Sequence, residues 1–428
     1  MKIKTLKKSY DEVMAIPRPA HKKPMKPWLL LSSVIRILAI PDMWTTKFKY
    51  TFPDKDKLPK GPCLILMNHS SFIDLKIVSR IFYPKPYCIV CTSDGFIGKN
   101  WLMRRLGCIP TQKFVTDLSL IKDMKYAFEK KKVSVLMYPE ASYSFDGCAT
   151  PLPEKMGGLL KLLKVPVIMI TTKGAFSRDP LYNGLQLRKV KVSADVKYLL
   201  SPDEINEKSV EELDAVLKDA FTFDGFKWQY ENGIKITEKF RADGLERILY
   251  KCCECGKEGR MVGKGEHLTC LECGKKYYMN DLGRLEALEG ETRFPHIPDW
   301  YAWERQCVRE EIETGKYLLD TDVSIGMMVD RKAIYMVGDG HLTHTENGFV
   351  LDGCDGKLHY EQKPLSSYGL YSDYYWYEIG DMICIGNKDA LYYCFPKTDG
   401  VVAKTRIAAE ELFKIKTAQI RQKRSKNN

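Results

Sequence analysis

The chain has 428 residues, 44% of them apolar and 29% charged, with a formal net charge of +12. That length leaves room for two or three domains, and that composition excludes a wholly disordered chain. The sequence lacks a run of roughly 18–20 uninterrupted apolar residues, which argues against a membrane-spanning helix, and the fourteen cysteines come without an apparent secretory signal, so a reducing cytoplasm is expected rather than a disulfide framework.

The charge is uneven. Residues 1–60 carry 14 Lys/Arg against 5 Asp/Glu, and residues 411–428 carry six against one. Basic ends suit an anionic surface, either lipid headgroups or nucleic acid. The first element favours lipid. Residues 27–44, "PWLLLSSVIRILAIPDMW", form an apolar stretch interrupted by Arg36 and stopped by Pro41, bracketed by Trp28 and Trp44 and preceded by Lys22, Lys23 and Lys26. It is too short to span a bilayer, but its tryptophans and neighbouring lysines predict a helix lying in the interface. Peripheral attachment to the cytoplasmic face of a membrane is therefore expected, and a nucleic-acid partner is not.

From about 50 to 200, apolar strand-like runs at 62–68, 87–92, 133–139 and 165–172 alternate with helical patterns at 71–82, 98–107, 117–132 and 154–164. This alternation predicts an α/β domain around a mainly buried sheet. Residues 188–200 alternate polar and apolar like a strand with one wet face, and 209–221 read as a charged helix. Beyond about 283, short strand candidates separated by Gly or Asp turns lead into one closing helix, which predicts a small β-rich domain capped by a helix.

Between these regions lie "CCECGK" and "CLECGK". Cys252 and Cys255 form one C-x2-C pair, Cys270 and Cys273 the other, with fourteen residues between them. Four thiolates complete a tetrahedron with no open position, the arrangement of structural zinc. The pattern resembles a zinc ribbon, with Cys253 left over.

The run "CLILMNHSSFIDLKI" ends an apolar strand on Asn68-His69 and places Asp74 five residues after the histidine. With His69 in a turn and Asp74 at the start of the next helix, capped by Ser70 or Ser71, the carboxylate can reach one ring nitrogen and leave the other free as a base. An N-H-x4-D motif followed by "YPEASYS" (138–144) and "VPVI" (165–168) resembles the glycerolipid acyltransferase family, the 1-acylglycerol-3-phosphate acyltransferases, over about residues 45–210. The resemblance implies that His69 deprotonates an acceptor hydroxyl, oriented by Asp74, for attack on the thioester of acyl-CoA or acyl carrier protein. It puts Lys113, in "GCIPTQK", at a basic position and makes Glu140 and Ser142 parts of the acceptor site. The third family block departs from the pattern. Ala141 stands for a glycine, and Tyr143 for an arginine that grips the acceptor phosphate. Either another cation (Arg104, Arg105, Lys113 or Lys155) takes that role, or the acceptor is not a phosphomonoester.

The expected organisation is a basic segment with an interfacial helix (1–46), an acyltransferase domain (47–205), a helical connector (206–248), a zinc ribbon (249–282) and a β-rich domain ending in a helix (283–428). The last resembles a pleckstrin-homology-like domain in element order alone. The expected activity is acyl transfer to a lysophospholipid, with 1-acylglycerol-3-phosphate foremost, in phospholipid biosynthesis. The competing reading is a membrane-docked acyltransferase-like remnant that serves a zinc-ribbon binding module.

Overall fold

The computed structural model describes residues 2–58, 60–115 and 117–427. Strand β1 (Thr5–Lys7) opens the chain. The expected interfacial helix forms as two, Leu29–Leu38 and Ile40–Thr45. The break falls at Ala39, because Pro41 in the first turn of the second helix has no N–H to continue the first. No residue of Leu29–Leu38 is buried; Leu30 is 71% exposed, and Trp44 beyond the break 82%. Among the described residues, no helix is long and apolar enough to cross a membrane.

Seven strands then build a mixed sheet. They are β2 (Lys49–Thr51), β3 (Leu64–Met67), β4 (Tyr87–Thr92), β5 (Cys108–Thr111), β6 (Ser134–Met137), β7 (Val167–Lys173) and β8 (Ser193–Leu200), in the order β2-β8-β7-β3-β6-β4-β5. All neighbours pair parallel except β7 with β8. The alternating side chains of β3 explain why its run is continuously apolar. Leu64 and Leu66 pack under Met124, Leu160 and Leu213, while Ile65 and Met67 pack against Ile73, Ile77 and Phe82, so helices cover both faces. Strand β5 is not anticipated from sequence because it contains Pro110. It lies at the sheet edge, where a missing N–H costs no ladder bond.

The cysteine region folds as a four-stranded antiparallel sheet of β9 (Met261–Lys264), β10 (His267–Cys270), β11 (Lys276–Met279) and β12 (Leu285–Ala287). Helix Ile297–Glu313 follows, an element the sequence reading passes over. Its buried positions, Ile297, Trp300, Tyr301, Glu304, Val308 and Ile312, carry helical spacing, but Glu304 interrupts the apolar stripe. An antiparallel sheet completes the chain: β13 (Leu319–Met328), β14 (Ile334–Thr345), β15 (Gly348–Gly353), β16 (Leu358–Gln362), β17 (Tyr371–Trp376), β18 (Gly380–Gly386) and β19 (Leu391–Pro396), then helix Val401–Asn427. Its strand order is β16-β15-β14-β13-β19-β18-β17, antiparallel throughout, with β1 added parallel to β14.

These regions share apolar core. Phe145, Phe176 and Tyr182, from the first 205 residues, join one cluster with Cys252, Trp300, Tyr374 and Leu412. Ile97 joins another with Tyr371, Trp376 and Tyr393. The β-rich domain is therefore packed against the loops and short helices that follow the α/β strands, on the side of the turn that holds His69.

Candidate active site and four-cysteine centre

The turn after β3 is fixed from both sides. Asn68 ends the strand, and its Oδ1 accepts from Thr172 N at 2.8 Å and Thr172 Oγ1 at 3.0 Å, tying it to β7. His69 follows. Asp74, at the start of helix Asp74–Phe82 and buried, accepts through Oδ2 from His69 Nδ1 at 3.1 Å, Ser70 N at 2.9 Å and Ser71 N at 3.2 Å. The serines therefore do not cap the helix as expected; the carboxylate caps their N–H groups instead, and Ser71 Oγ bonds Asp179. A carboxylate offers no proton, so Nδ1 carries the hydrogen and Nε2 keeps its lone pair. The His69 side chain remains 18% exposed. Burial holds its imidazole below the usual range, with Asp74 opposing that shift, so the ring is neutral and basic near neutral pH.

Two phenol rings flank that imidazole. Tyr138 and Tyr143 each lie 4.2 Å from it, ring centroid to ring centroid, at 29° and 31°. Tyr143 also meets Phe72 at 5.5 Å, and Phe72 is 60% exposed. Glu140 turns inward between them. Its Oε2 accepts from His69 N at 2.8 Å, and its Oε1 from Thr150 N at 2.8 Å and Thr150 Oγ1 at 3.2 Å. Both oxygens thus brace protein backbone. Burial pushes this carboxyl up to about 7, against the N–H groups that favour its ionised form. Next to it Ala141, where the family pattern has glycine, holds φ at 57°, a left-handed conformation that costs a residue with a Cβ roughly 1 kcal/mol.

Ser142 Oγ accepts from Arg406 Nη2 at 2.9 Å. Arg406 comes from the terminal helix, also donates to Tyr143 O at 3.3 Å, pairs with Glu410 at 3.2 Å and lies 4.2 Å from the Phe145 ring. Sequence reasoning misses it, because one arginine in a basic terminal helix carries no mark of its partner 264 positions earlier. Lys113 sits with its Nζ 4.1 Å from the Tyr371 ring of β17. Burial pushes its ammonium down, and Asp373 and Asp94 pull it back up. Asp94 accepts from Tyr371 Oη at 2.8 Å, and burial raises Asp373 to about 6 against the pull of Lys113. The structure therefore gathers His69, Asp74, Glu140, Ser142 and Lys113 in one place. Arg104 and Arg105 are engaged elsewhere: Arg104 donates to Lys23 O at 2.8 Å, and Arg105 stacks on Trp28 and Trp101 at 4.4 and 4.3 Å.

Among the other histidines, for which the sequence offers no partner, His21 meets Asp123 at 3.0 Å, His296 meets Asp224 at 2.8 Å, and His344 meets Tyr317 Oη at 2.9 Å. His341 and His359 also have carboxylate neighbours. Tertiary folding supplies the partners of His21, His296 and His344 from positions 102, 72 and 27 residues away, which is why spacing does not reveal them.

The four cysteines converge. Their sulfurs lie within 4.8 Å of one another, with Cys252–Cys273 and Cys255–Cys270 both at 3.8 Å. Metal–sulfur bonds of about 2.3 Å make tetrahedron edges near that length, so the cluster fits a tetrahedral zinc ion. Gly256 and Gly274, at φ of 73° and 76°, close the two turns in matching fashion. The cluster is tied to the helices that follow. Lys251, beside the first knuckle, pairs with Glu258 and Glu311, and Lys404 of the terminal helix pairs with both of the same carboxylates.

Residues 49–173 match the family described as Acyltransferase, a span that runs from β2 through β7 and holds all five gathered residues. A chloroplastic 1-acyl-sn-glycerol-3-phosphate acyltransferase of Brassica napus is 27% identical over 146 residues, which are 32% of this chain and 42% of that protein; the chain thus spans less than half the length of this curated relative. The 1-acyl-sn-glycerophosphate acyltransferase of Thermotoga maritima, a solved structure, is similar at 15% identity and a TM-score of 0.36, over 44% of this chain and 76% of that one.

Proposed function

We propose that this chain, which carries an acyltransferase domain resembling lysophosphatidate acyltransferases, moves a fatty acyl group from a thioester to a hydroxyl of a lysophospholipid at a membrane surface. One observation carries the reading: Asp74 Oδ2 holds His69 Nδ1–H at 3.1 Å and leaves Nε2 free in a partly open turn. In the proposed reaction Nε2 takes the proton of the acceptor hydroxyl as its oxygen attacks the thioester carbonyl. The tetrahedral intermediate collapses, the carbon–sulfur bond breaks, and the imidazolium returns the proton to the departing thiolate. Glu140 supports the turn through His69 N, and the Tyr138 and Tyr143 rings limit how the imidazole can rotate.

The exposed apolar side chains of Leu29–Leu38 and Trp44, with basic residues around them, support interfacial attachment from which lipid acceptor could enter. The donor is acyl-CoA or an acyl carrier protein, both anionic and suited to a chain of net charge +12. A zinc ion at Cys252, Cys255, Cys270 and Cys273 would be structural, holding the ribbon against the terminal helix. The seven-stranded antiparallel order of β13 to β19 followed by a helix supports the pleckstrin-homology-like reading of the last domain. Purified protein given labelled acyl-CoA and lysophospholipid in vesicles should form diacyl product, and His69→Ala should abolish it. Absence of transfer to every lysolipid offered would overturn the proposal.

A further inference from the structure

A chain of polar contacts runs from the His69 turn to the exposed helices near the N-terminus. Ser71 is held through both its backbone and its side chain. Its N–H donates to Asp74 Oδ2 at 3.2 Å, the same oxygen that holds His69 Nδ1 at 3.1 Å. Its Oγ donates to Asp179 Oδ1 and accepts from Ile73 N at 3.3 Å. The other oxygen of Asp179 accepts from Arg178 Nη1 at 3.2 Å. Arg178 closes the short helix Ala175–Arg178 and donates through Nη2 to Asp42 Oδ1. Asp42 Oδ2 accepts from Lys76 Nζ, on the helix that begins at Asp74. Asp42 itself belongs to helix Ile40–Thr45, two residues before the exposed Trp44.

The order Asp179, Arg178, Asp42, Lys76 alternates two carboxylates with two cations, and Asp179 and Arg178 are buried. Charges taken out of water are costly unless paired, and removing one leaves its neighbour uncompensated. Such a chain therefore has one satisfied arrangement. Attachment of helix Ile40–Thr45 does not depend on it alone, because Ala39 and Met43 pack into the apolar core with Ile65, Ile73 and Ile77. What the charges add is a fixed place for Ser71 Oγ. Through the oxygen of Asp74 that Ser71 and His69 share, that place also sets the orientation of the imidazole. A misplacement of about 1 Å at a reacting group can cost about 10²-fold in rate.

We propose that Asp179, Arg178 and Asp42 are positioning residues that lock the His69 turn to helix Ile40–Thr45, so that the helix carrying Trp44 into the interface also sets the geometry of the base. The inference rests on the acyl-transfer reading and adds residues to its site. The three act through Ser71 and Asp74, not on the reacting atoms.

The test uses full-length protein and labelled acyl-CoA, with lysophosphatidate and lysophosphatidylcholine as acceptors in uncharged detergent micelles. Asp179→Asn keeps an acceptor oxygen for Ser71 and removes the charge that meets Arg178. It should lower kcat by on the order of tenfold while the acceptor KM stays within about twofold of wild type. Co-sedimentation with phosphatidylcholine vesicles should be unchanged. Asp42→Asn should lower kcat in the same way. The double variant should lose much less than the product of the two single losses, because either change breaks the same chain. Ser71→Ala paired with Asp42→Asn carries the same cycle if Asp179→Asn does not fold. A kcat equal to wild type in folded Asp179→Asn or Ser71→Ala, or single losses that multiply in the double variant, overturns this inference and leaves acyl transfer standing. Absence of transfer by the wild type to both acceptors overturns both.

Discussion

The turn around His69 and the wall that faces it are assembled in different ways. The hydrogen bonds that hold His69, Asp74 and Glu140 come from residues 69–150, all within one α/β sheet and its loops. Ser142 and Tyr143 are instead met by Arg406, Lys113 lies against the Tyr371 ring, and Tyr368 donates to Pro139 O at 3.4 Å. The base and its orienting carboxylate are thus a local device, whereas the acceptor side is a joint between domains. Removing the His69 ring should alter rate with little loss of fold, and changes in the second region should alter stability more than the chemical step.

The largest expected effect tests the local half. His69→Ala should lower kcat by about 10²–10⁴-fold, the range of a positioned general base, while its thermal melting stays near that of wild type because the ring is only partly buried. A large fall in melting temperature would mean that His69 is structural as well. The joint is probed next by Arg406→Met, which removes the donor to Ser142 and leaves Glu410 to Arg305 alone, at 2.8 Å. Urea unfolding should report a loss of about 3 kcal/mol, the low end for a broken buried pair. If stability is unchanged, the contact between the terminal helix and the Glu140 loop contributes little to holding the domains together.

Glu140→Gln should have a smaller effect, about 1–3 kcal/mol in stability, because the new amide group must face one of the N–H donors at His69 and Thr150. The sign with pH follows from its carboxyl being raised to about 7. The folded state holds that proton more tightly than the unfolded chain, so Glu140 weakens the fold as pH rises from about 4.5 to 7. The glutamine variant should lack that slope in melting curves recorded across the interval. The smallest effect is on the rate profile. Because burial depresses the His69 pKa, the acid limb that His69 contributes to kcat/KM should fall below pH 6.5. An acid limb that persists in Glu140→Gln with an inflection above 6.5 would show that the imidazole is not the controlling base.

The local half was also the legible half. Asn68, His69 and Asp74 lie within seven positions, and the strand before them is uniformly apolar, so pattern alone locates the turn and its pair. The cysteine knuckles are equally local, and their convergence to 3.8 Å contacts follows from spacing and two turn glycines. Arg406 and Asp373 were not legible, because no periodicity links a terminal helix or a β17 side chain to residues 113 and 142. Helix Ile297–Glu313 was hidden by Glu304, a buried carboxylate whose Oε1 accepts from Lys251 N at 2.8 Å, at a position where an apolar side chain is expected. Strand β5 was obscured by Pro110, which its edge position tolerates.

Single-turnover acyl transfer from labelled acyl-CoA to lysolipid, measured for the wild type and for folded His69→Ala side by side, tests the central claim most directly. The account predicts diacyl product from the wild type and a loss of at least about 10²-fold in the variant; equal rates in the two proteins would contradict it.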